Sequence, residues 1–453
     1  MNGKDLTHGS IIGNIMSFSL PYMLAYFLQI LYGLADLYVI GQYCDVDSTT
    51  AVSNGAQVMY MVTVVLIGLA MGTTVLTAHA VGAKDNERAR SIVGNTITMF
   101  AGIAFVLMAV LLSIRGWIVS VMDTPTEAVA GMEHYLTVCF IGIPFIIAYN
   151  IIASIFRGLG DSRSPMYFVA VACVVNIALD YLFIGFFGLG AMGAALGTTL
   201  SQMASVLFAL TSIRRHRGVM DISRRDLRPR KNVIMNILKI GLPIAMQDGF
   251  IQISFLVITV IANQRGLIDA AAVGIVEKFI GLVFIVPSAM LSTVSAISAQ
   301  NIGAGNMERA KRTMRTAMMI TTCYGVVCAV VLQFVPQLAV GIFTDNPDVL
   351  AQGSDYLRGY VWDCIFAGLH FCFSGFFTAC GYSIISFIHN SISIVCARIP
   401  LAWLSSKLYP DTLYPMGLST CIGSVLSCLI CVGAYWWMKK RMKSTIKKNN
   451  NDK

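Results

Sequence analysis

The chain has 453 residues, of which 56% are hydrophobic and only 12% carry a charge. A soluble globular domain carries about twice that charged fraction, so the composition excludes an ordinary cytosolic enzyme. Apolar runs of about 20 residues or more recur from Ile11 to Met438 and predict a polytopic membrane protein. The net charge of +9 would suit a nucleic-acid surface in a soluble protein, so its distribution has to be considered first.

Polar, glycine and proline clusters divide the chain into apolar spans. The predicted spans are 11–40, 52–81, 92–115, 133–157, 164–187, 191–213, 234–263, 270–302, 313–343, 355–380, 383–406 and 415–438. They predict an all-α membrane protein with 12 transmembrane helices. The first span lacks the short apolar region and cleavage site of a signal peptide, so we expect it to be retained. Cys428 and Cys431 form a CxxC pair without a neighbouring histidine or second pair, so we expect no metal site and no cofactor.

Lysine and arginine residues lie mostly on one side of the predicted spans. The loops at 157–163, 214–239 and 303–315 and the tail from Lys439 are basic, whereas 116–132, 185–190 and 344–354 are acidic or uncharged. The positive-inside rule therefore places both termini in the cytoplasm. We expect the chain to lie in the plasma membrane, the inner membrane of a cell with two. The charge is a topology signal, and we expect no nucleic-acid partner.

The two halves of the chain repeat each other. Leu20-Pro21 is matched by Leu242-Pro243, and the segment Gly82–Arg90 by Gly303–Lys311, at nearly the same separation along the chain. The repeat predicts a six-helix bundle at 1–213, a basic linker at 214–231, a second bundle at 232–438 and a basic tail at 439–453. An even number of spans gives a parallel repeat, with a pseudo-twofold along the membrane normal and a cavity between the halves. This architecture is typical of an alternating-access transporter.

Ionisable residues inside apolar spans indicate function, because each costs about 2.5–3.5 kcal/mol at mid-bilayer. Counting 1.5 Å per residue puts Asp36, Asp180 and Thr198 within about 10 Å of the outer ends of their helices. Asn176 lies one turn from Asp180 on the same face. These four residues predict a proton-coupling or cation-coupling site, because paired buried carboxylates can bind and release protons. The alternative is that Asp36 is an interfacial acid and that Asn176 and Asp180 only link helices.

The second half lacks this group. The position equivalent to Asp36 holds Ile258, that of Asn176 holds Ala397, and that of Asp180 holds Leu401. A site of this type is therefore expected in the first half alone.

The other predicted site residues fall into three sets. Asp363 and Arg398 lie at similar depth on neighbouring spans and predict a structural ion pair. Pro21 and Pro243 predict hinges, because proline removes a helical hydrogen bond. The candidates for lining a substrate cavity are Tyr22, Gln29, Tyr32, Asn150, Asp248, Gln252 and Glu277.

These motifs resemble the multidrug and toxic compound extrusion (MATE) family over essentially the whole chain. The resemblance rests on the repeated Leu-Pro, on Gly82-Ala83 with Glu87–Arg90, on Arg157-Gly-Leu-Gly-Asp-Ser-Arg163 and on Asn176-Ile-Ala-Leu-Asp180. It implies a cation-driven exporter of mostly cationic, aromatic or amphipathic compounds.

The combination of Asp36, Asn176, Asp180 and Thr198 is similar to the DinF-like branch of the family. That branch has a proton-responsive network in its first bundle. The NorM-like branch uses acids in spans 7 and 10 for sodium, whereas Asp363 stands about one turn from that span-10 position. The resemblance thus implies protons as the coupling ion and leaves sodium open.

We therefore expect a proton-coupled antiporter that exports organic cations by alternating access. Its expected partners are small organic cations and the lipid bilayer, and we expect a monomer. A sodium-coupled exporter of the same family and a lipid-linked precursor flippase of the same superfamily remain alternatives. A membrane enzyme is disfavoured, because the chain has no HExxH, GxSxG or clustered histidines.

Overall fold

The computed structural model describes residues 5–215 and 222–451, and every regular element in those ranges is helical. The predicted linker at 214–231 and the tail at 439–453 lie partly outside the described residues. In the first half the helices are α1 Ile11–Tyr43, α2 Val46–Gly82, α3 Asn86–Val121, α4 Thr126–Ile141, α5 Ile143–Gly158, α6 Arg163–Asp180 and α7 Gly190–Arg215. In the second half they are α8 Lys231–Asn263, α9 Leu267–Val283, α10 Ile285–Gly303, α11 Met307–Phe334, α12 Pro336–Gly341, α13 Pro347–Tyr360, α14 Asp363–Ala379, α15 Ser383–Ser393, α16 Ile399–Leu408 and α17 Tyr414–Asn451.

The described chain contains 10 helices, or unbroken helical stretches, long and apolar enough to cross a membrane, and two bent pairs raise the number to as many as 12. The predicted all-α, 12-span fold is thereby confirmed. The bent pairs are α4 with α5, at 49°, and α13 with α14, at 44°. Thr126 and Pro347, which begin the two pairs, are separated by the same interval as Gly82 and Gly303, so the bend itself is repeated.

The sharp bends do not coincide with the predicted proline hinges. Helices α1 and α8 run without interruption through Pro21 and Pro243. Two π-helical turns also break the regular pattern. One, Tyr181–Phe186, follows α6 directly, and the other, Ile394–Arg398, joins α15 to α16. Such turns are frequent at functional sites, and each here adjoins a predicted site residue. A hinge role for the two prolines stays a prediction.

The chain forms two compact units. Unit 1 comprises Met1–Ala245 and Ala296–Ala310, and unit 2 comprises Met246–Ser295 and Lys311–Lys453. The division therefore runs through α8, α10 and α11, whereas the sequence places the end of the first bundle at residue 213. The predicted domain boundaries stay a prediction.

Two repeat-related glycines allow a close crossing of α2 and the end of α10 within unit 1. A Cβ on Gly82 would overlap the carbonyl oxygen of Gln300, and one on Gly303 would overlap that of His79. His79 and Gln300 are themselves equivalent positions of the repeat, so the contact is reciprocal. Small residues at such crossings let two backbones touch. This packing explains why both copies of the repeated motif begin with glycine.

A buried arginine fixes the turn between α8 and α9 in unit 2. Arg265 Nε lies 2.6 Å from Asp269 Oδ2. Its Nη1 donates to the carbonyls of Ser406 and Tyr409 at 2.9 and 3.1 Å, and its Nη2 donates to that of Pro410 at 2.8 Å. One guanidinium thus satisfies carbonyls at the end of α16 as well as an acid on α9.

Arg265→Ala should therefore lower the free energy of unfolding by about 2–3 kcal/mol, because it leaves a partly buried carboxylate and several carbonyls without donors. Thermal unfolding of the purified protein in mild detergent measures this loss. Arg358→Ala, which removes a half-buried arginine of the same unit, is the control. Equal melting temperatures for the two variants would contradict the prediction.

Candidate coupling site

Asp36 lies at the centre of a polar cluster inside unit 1. It is buried on α1, and its Oδ2 accepts a hydrogen bond from Thr198 Oγ1 on α7 at 3.3 Å. Asn176 and Asp180 on α6 face the same carboxylate and are 1% and 0% exposed. The structure thus brings together all four residues of the predicted coupling site. Three helices, α1, α6 and α7, contribute them.

The cluster is poorly satisfied by hydrogen bonds. Within the described residues, Asp36 Oδ1, both carboxylate oxygens of Asp180 and both side-chain polar atoms of Asn176 have no partner of good geometry. A buried polar group without a partner costs about 1–3 kcal/mol, so packing alone does not account for this arrangement. A proton placed on one carboxyl turns it into a donor for the other, which relieves part of that cost.

Gly197 sets the distance between α7 and the acids, and the sequence alone did not single it out. A Cβ at this position would overlap Asp180 Oδ1 and would lie 3.5 Å from Asn176 Nδ2. Only a residue without a side chain lets α7 approach both. A glycine one residue before Thr198 was the available signal, but its meaning depends on which helix packs opposite.

Further side chains surround Asp36. Tyr32, predicted to line a substrate cavity, lies instead beside Asp36 and Gln202. Tyr135 and Cys139 on α4 also face Asp36. Tyr135-Leu136 is matched by Tyr356-Leu357 in the second half of the chain, so the sequence carried a signal for Tyr135.

A small cavity opens in unit 1, on the side of α1 that carries Tyr22 and Gln29. Asn150 also lines it, so three of the predicted lining residues share this cavity. Among the described residues that line it, Arg157 is the one that carries a charge. Its Nη1 donates to the Tyr22 hydroxyl at 2.6 Å, and its guanidinium lies 4.9 Å from the centre of the same ring.

The remaining lining candidates belong to unit 2. Asp248 and Gln252 are half-buried on α8. Glu277 on α9 is half-buried and accepts a hydrogen bond from Thr259 Oγ1 at 3.5 Å. Their role in lining a substrate cavity stays a prediction.

The predicted ion pair between Asp363 and Arg398 is not formed. Among the described residues, no nitrogen of Arg398 lies within 4.0 Å of an Asp363 oxygen. Arg398 Nη2 donates instead to the Tyr360 hydroxyl at 3.3 Å, and the guanidinium lies over the Phe255 ring at 4.5 Å. The charges interact only at longer range. Helical rise predicts depth correctly, but it does not fix the direction in which a side chain points.

The MatE family model matches the chain twice, at residues 21–182 and 243–404. The chain belongs to the MatE family. The two matches are separated by the same interval as Pro21 and Pro243, in agreement with the duplication seen in the motifs. The resemblance to the MATE family inferred from the sequence is confirmed.

Relatives of this MATE protein are described as multidrug transporters. It is 28% identical over 413 residues to the probable multidrug resistance protein YpnP of Bacillus subtilis, covering 90% of this chain and 92% of that one. It is 26% identical over 371 residues to the multidrug export protein MepA of Staphylococcus aureus, covering 81% of each. The chain is therefore a membrane transporter of the multidrug efflux type and not an enzyme.

Solved structures share the fold. The outward-facing form of a multidrug resistance MATE transporter has a TM-score of 0.90, with 22% identity over 99% of both chains. A MATE structure in complex with MaL6 also has a TM-score of 0.90, with 21% identity over 99% of this chain and 100% of that one.

Proposed function

We propose that this MATE protein is a proton-coupled antiporter of the DinF-like branch that exports organic cations by alternating access. The observation that supports the proposal is the buried, incompletely hydrogen-bonded cluster of Asp36, Asn176, Asp180 and Thr198. The repeat-equivalent residues of the second half cannot carry this chemistry.

Helix α1 links the coupling cluster to the cavity. Tyr22, Gln29 and Asp36 recur at a heptad spacing and so lie on one stripe of the helix. Tyr22 and Gln29 line the cavity, whereas Asp36 faces α6 and α7. A movement of α1 at one end of this stripe therefore changes the cavity at the other.

Protonation supplies the movement in this proposal. A proton on Asp36 or Asp180 lets one carboxyl donate to the other and draws α1 toward α6. Loss of the proton leaves two like charges in a poorly solvated site, which pushes the helices apart. Substrate affinity differs between the two states, and by linkage the substrate changes proton affinity by the same factor.

The orientation follows from the charge distribution. Both termini lie in the cytoplasm, the protein is a monomer in the plasma membrane, and protons enter from outside. Sodium is the competing coupling ion, because carboxylate, amide and hydroxyl oxygens also suit a hard cation.

Reconstitution in liposomes distinguishes the two ions. The wild-type protein is supplied with ethidium and either a pH gradient or a sodium gradient, each with an ionophore that collapses it as the control. We expect the pH gradient to drive ethidium transport and the sodium gradient to leave it at the background rate. Transport that follows sodium and ignores pH would overturn proton coupling. If neither gradient drives ethidium transport but one of them drives transport of a neutral or anionic dye, the assignment of cationic substrates is overturned.

A further inference from the structure

Unit 2 contains a second buried polar network. His389 on α15 is 0% exposed. Its Nε2 lies 2.8 Å from Ser374 Oγ on α14, and its Nδ1 lies 2.6 Å from Ser427 Oγ on α17. A neutral imidazole donates from one nitrogen and accepts at the other. Ser374, His389 and Ser427 therefore form a continuous hydrogen-bonded chain across three helices.

A second histidine extends the network toward Asp363. The ring of His370 on α14 lies 5.7 Å from the ring of His389. Its Nε2 lies 3.4 Å from Ser424 Oγ, and Ser424 lies beside the Asp363 carboxyl group. His370 is 5% exposed, and its Nδ1 has no partner in the described part of the chain. Asp363, Ser424 and His370 thus form a second polar group that lies beside the first.

The network follows one face of a helix. Asp363, His370 and Ser374 are spaced at i, i+7 and i+11 on α14, which places them on one stripe about 16 Å long. A stripe used only for packing would be apolar, because buried polar groups gain little net stability even when paired.

The charges around the histidines are unequal. The titratable groups that face the network are Asp363 on α14, Arg398 after α15, and Cys421 and Cys428 on α17. Arg398 acts on both Asp363 and His370. A proton on His370 is disfavoured by the burial of the ring and repelled by Arg398, which favours passing the proton on over holding it.

We propose that His389 and His370 form a proton relay that serves Asp363 within unit 2, separate from the coupling cluster of unit 1. His389 takes up a proton through Ser374 or Ser427 and becomes an imidazolium. Rotation of the rings passes one of its protons to Nδ1 of His370, and His389 returns to neutral. His370 then releases its Nε2 proton to Ser424, whose hydroxyl passes its own proton to the Asp363 carboxylate and so neutralises it. The proton comes from the aqueous phase, and no other reactant is needed.

The first test is transport in proteoliposomes by His370→Gln and His389→Gln, which keep a hydrogen-bonding amide but cannot shuttle a proton. Each variant should transport ethidium about tenfold more slowly, with a flatter dependence of rate on pH. The double variant should be no slower than either single one, because members of one relay act as a unit. His134→Gln, at an exposed histidine, is the matched control and should behave as the wild type.

Two results of this experiment would overturn the relay. One is a wild-type rate and pH profile in both variants. The other is a slower rate with an unchanged pH profile and a lowered melting temperature, which would mean that the histidines only brace the helices.

A second measurement does not depend on transport or on the identity of the coupling ion. ¹⁵N-histidine spectra of the full chain in lipid nanodiscs report the tautomer of each ring, with the glutamine variants providing assignments. His370 and His389 should each exchange between their two neutral tautomers at every pH from about 5 to 8. A single fixed tautomer throughout that range would refute the relay. The variants Asp36→Asn and Asp180→Asn should leave these signals unchanged. The relay of unit 2 and the coupling cluster of unit 1 are therefore tested separately.

Discussion

Asp36→Asn and Asp180→Asn are each expected to abolish transport driven by a pH gradient, with a loss of about a hundredfold, near the upper end of common coupling factors. Asparagine keeps the size and much of the hydrogen bonding of aspartate, but it does not bind and release a proton. Both side chains are buried within unit 1, at 7% and 0% exposure. Neither substitution creates a cavity there, because the two side chains are the same size. Initial rates of ethidium transport in proteoliposomes measure the effect.

Asp47→Asn is the matched control, because Asp47 is an exposed acid near the start of α2. It should leave the rate unchanged. Binding of ethidium to the two site variants should persist but no longer respond to pH, which separates a lost coupling from a lost fold. Full gradient-driven transport by both variants would remove the coupling role from this cluster.

Depth along each helix was predictable from the sequence. Helical rise converts residue number into height, so Asp36, Asp180 and Thr198 could be placed at one level before their contacts were known. The apolar runs predicted the number of spans, and the repeat and the family motifs predicted how the spans are arranged. The same reasoning placed Asp363 and Arg398 at one level, but the structure turns the guanidinium toward Tyr360 instead.

Contacts across helices were not predictable from spacing. His370 and His389 stand on different helices and look unrelated in the sequence, yet the turn between α14 and α15 places their rings side by side. The sharp bends likewise lie in α4–α5 and α13–α14 rather than at Pro21. Such features depend on which faces pack together, and that choice is made by all the neighbouring helices at once.

Gly197→Ala tests the geometry of the coupling cluster without changing any charge. The new methyl group would overlap Asp180 Oδ1 and lie 3.3 Å from its Cγ, so the carboxyl must turn away or α7 must move back from α6. Either response also disturbs Thr198, the next residue, and its 3.3 Å hydrogen bond to Asp36. We expect transport in the pH gradient to fall about tenfold, which corresponds to about 1.4 kcal/mol.

Helix propensity makes this prediction sharper, because alanine favours an α-helix over glycine by about 1 kcal/mol. The substitution should therefore not weaken α7 itself, and a lost rate with an undiminished melting temperature locates the damage in the cluster.

Gly33→Ala on α1 is the matched control, since a Cβ there meets nothing within 4 Å. It offers the same propensity gain close to Asp36 on the same helix and should transport as the wild type. If Gly197→Ala does so as well, the close approach of α7 to Asp180 has no part in coupling; if its melting temperature falls together with its rate, the glycine serves packing instead.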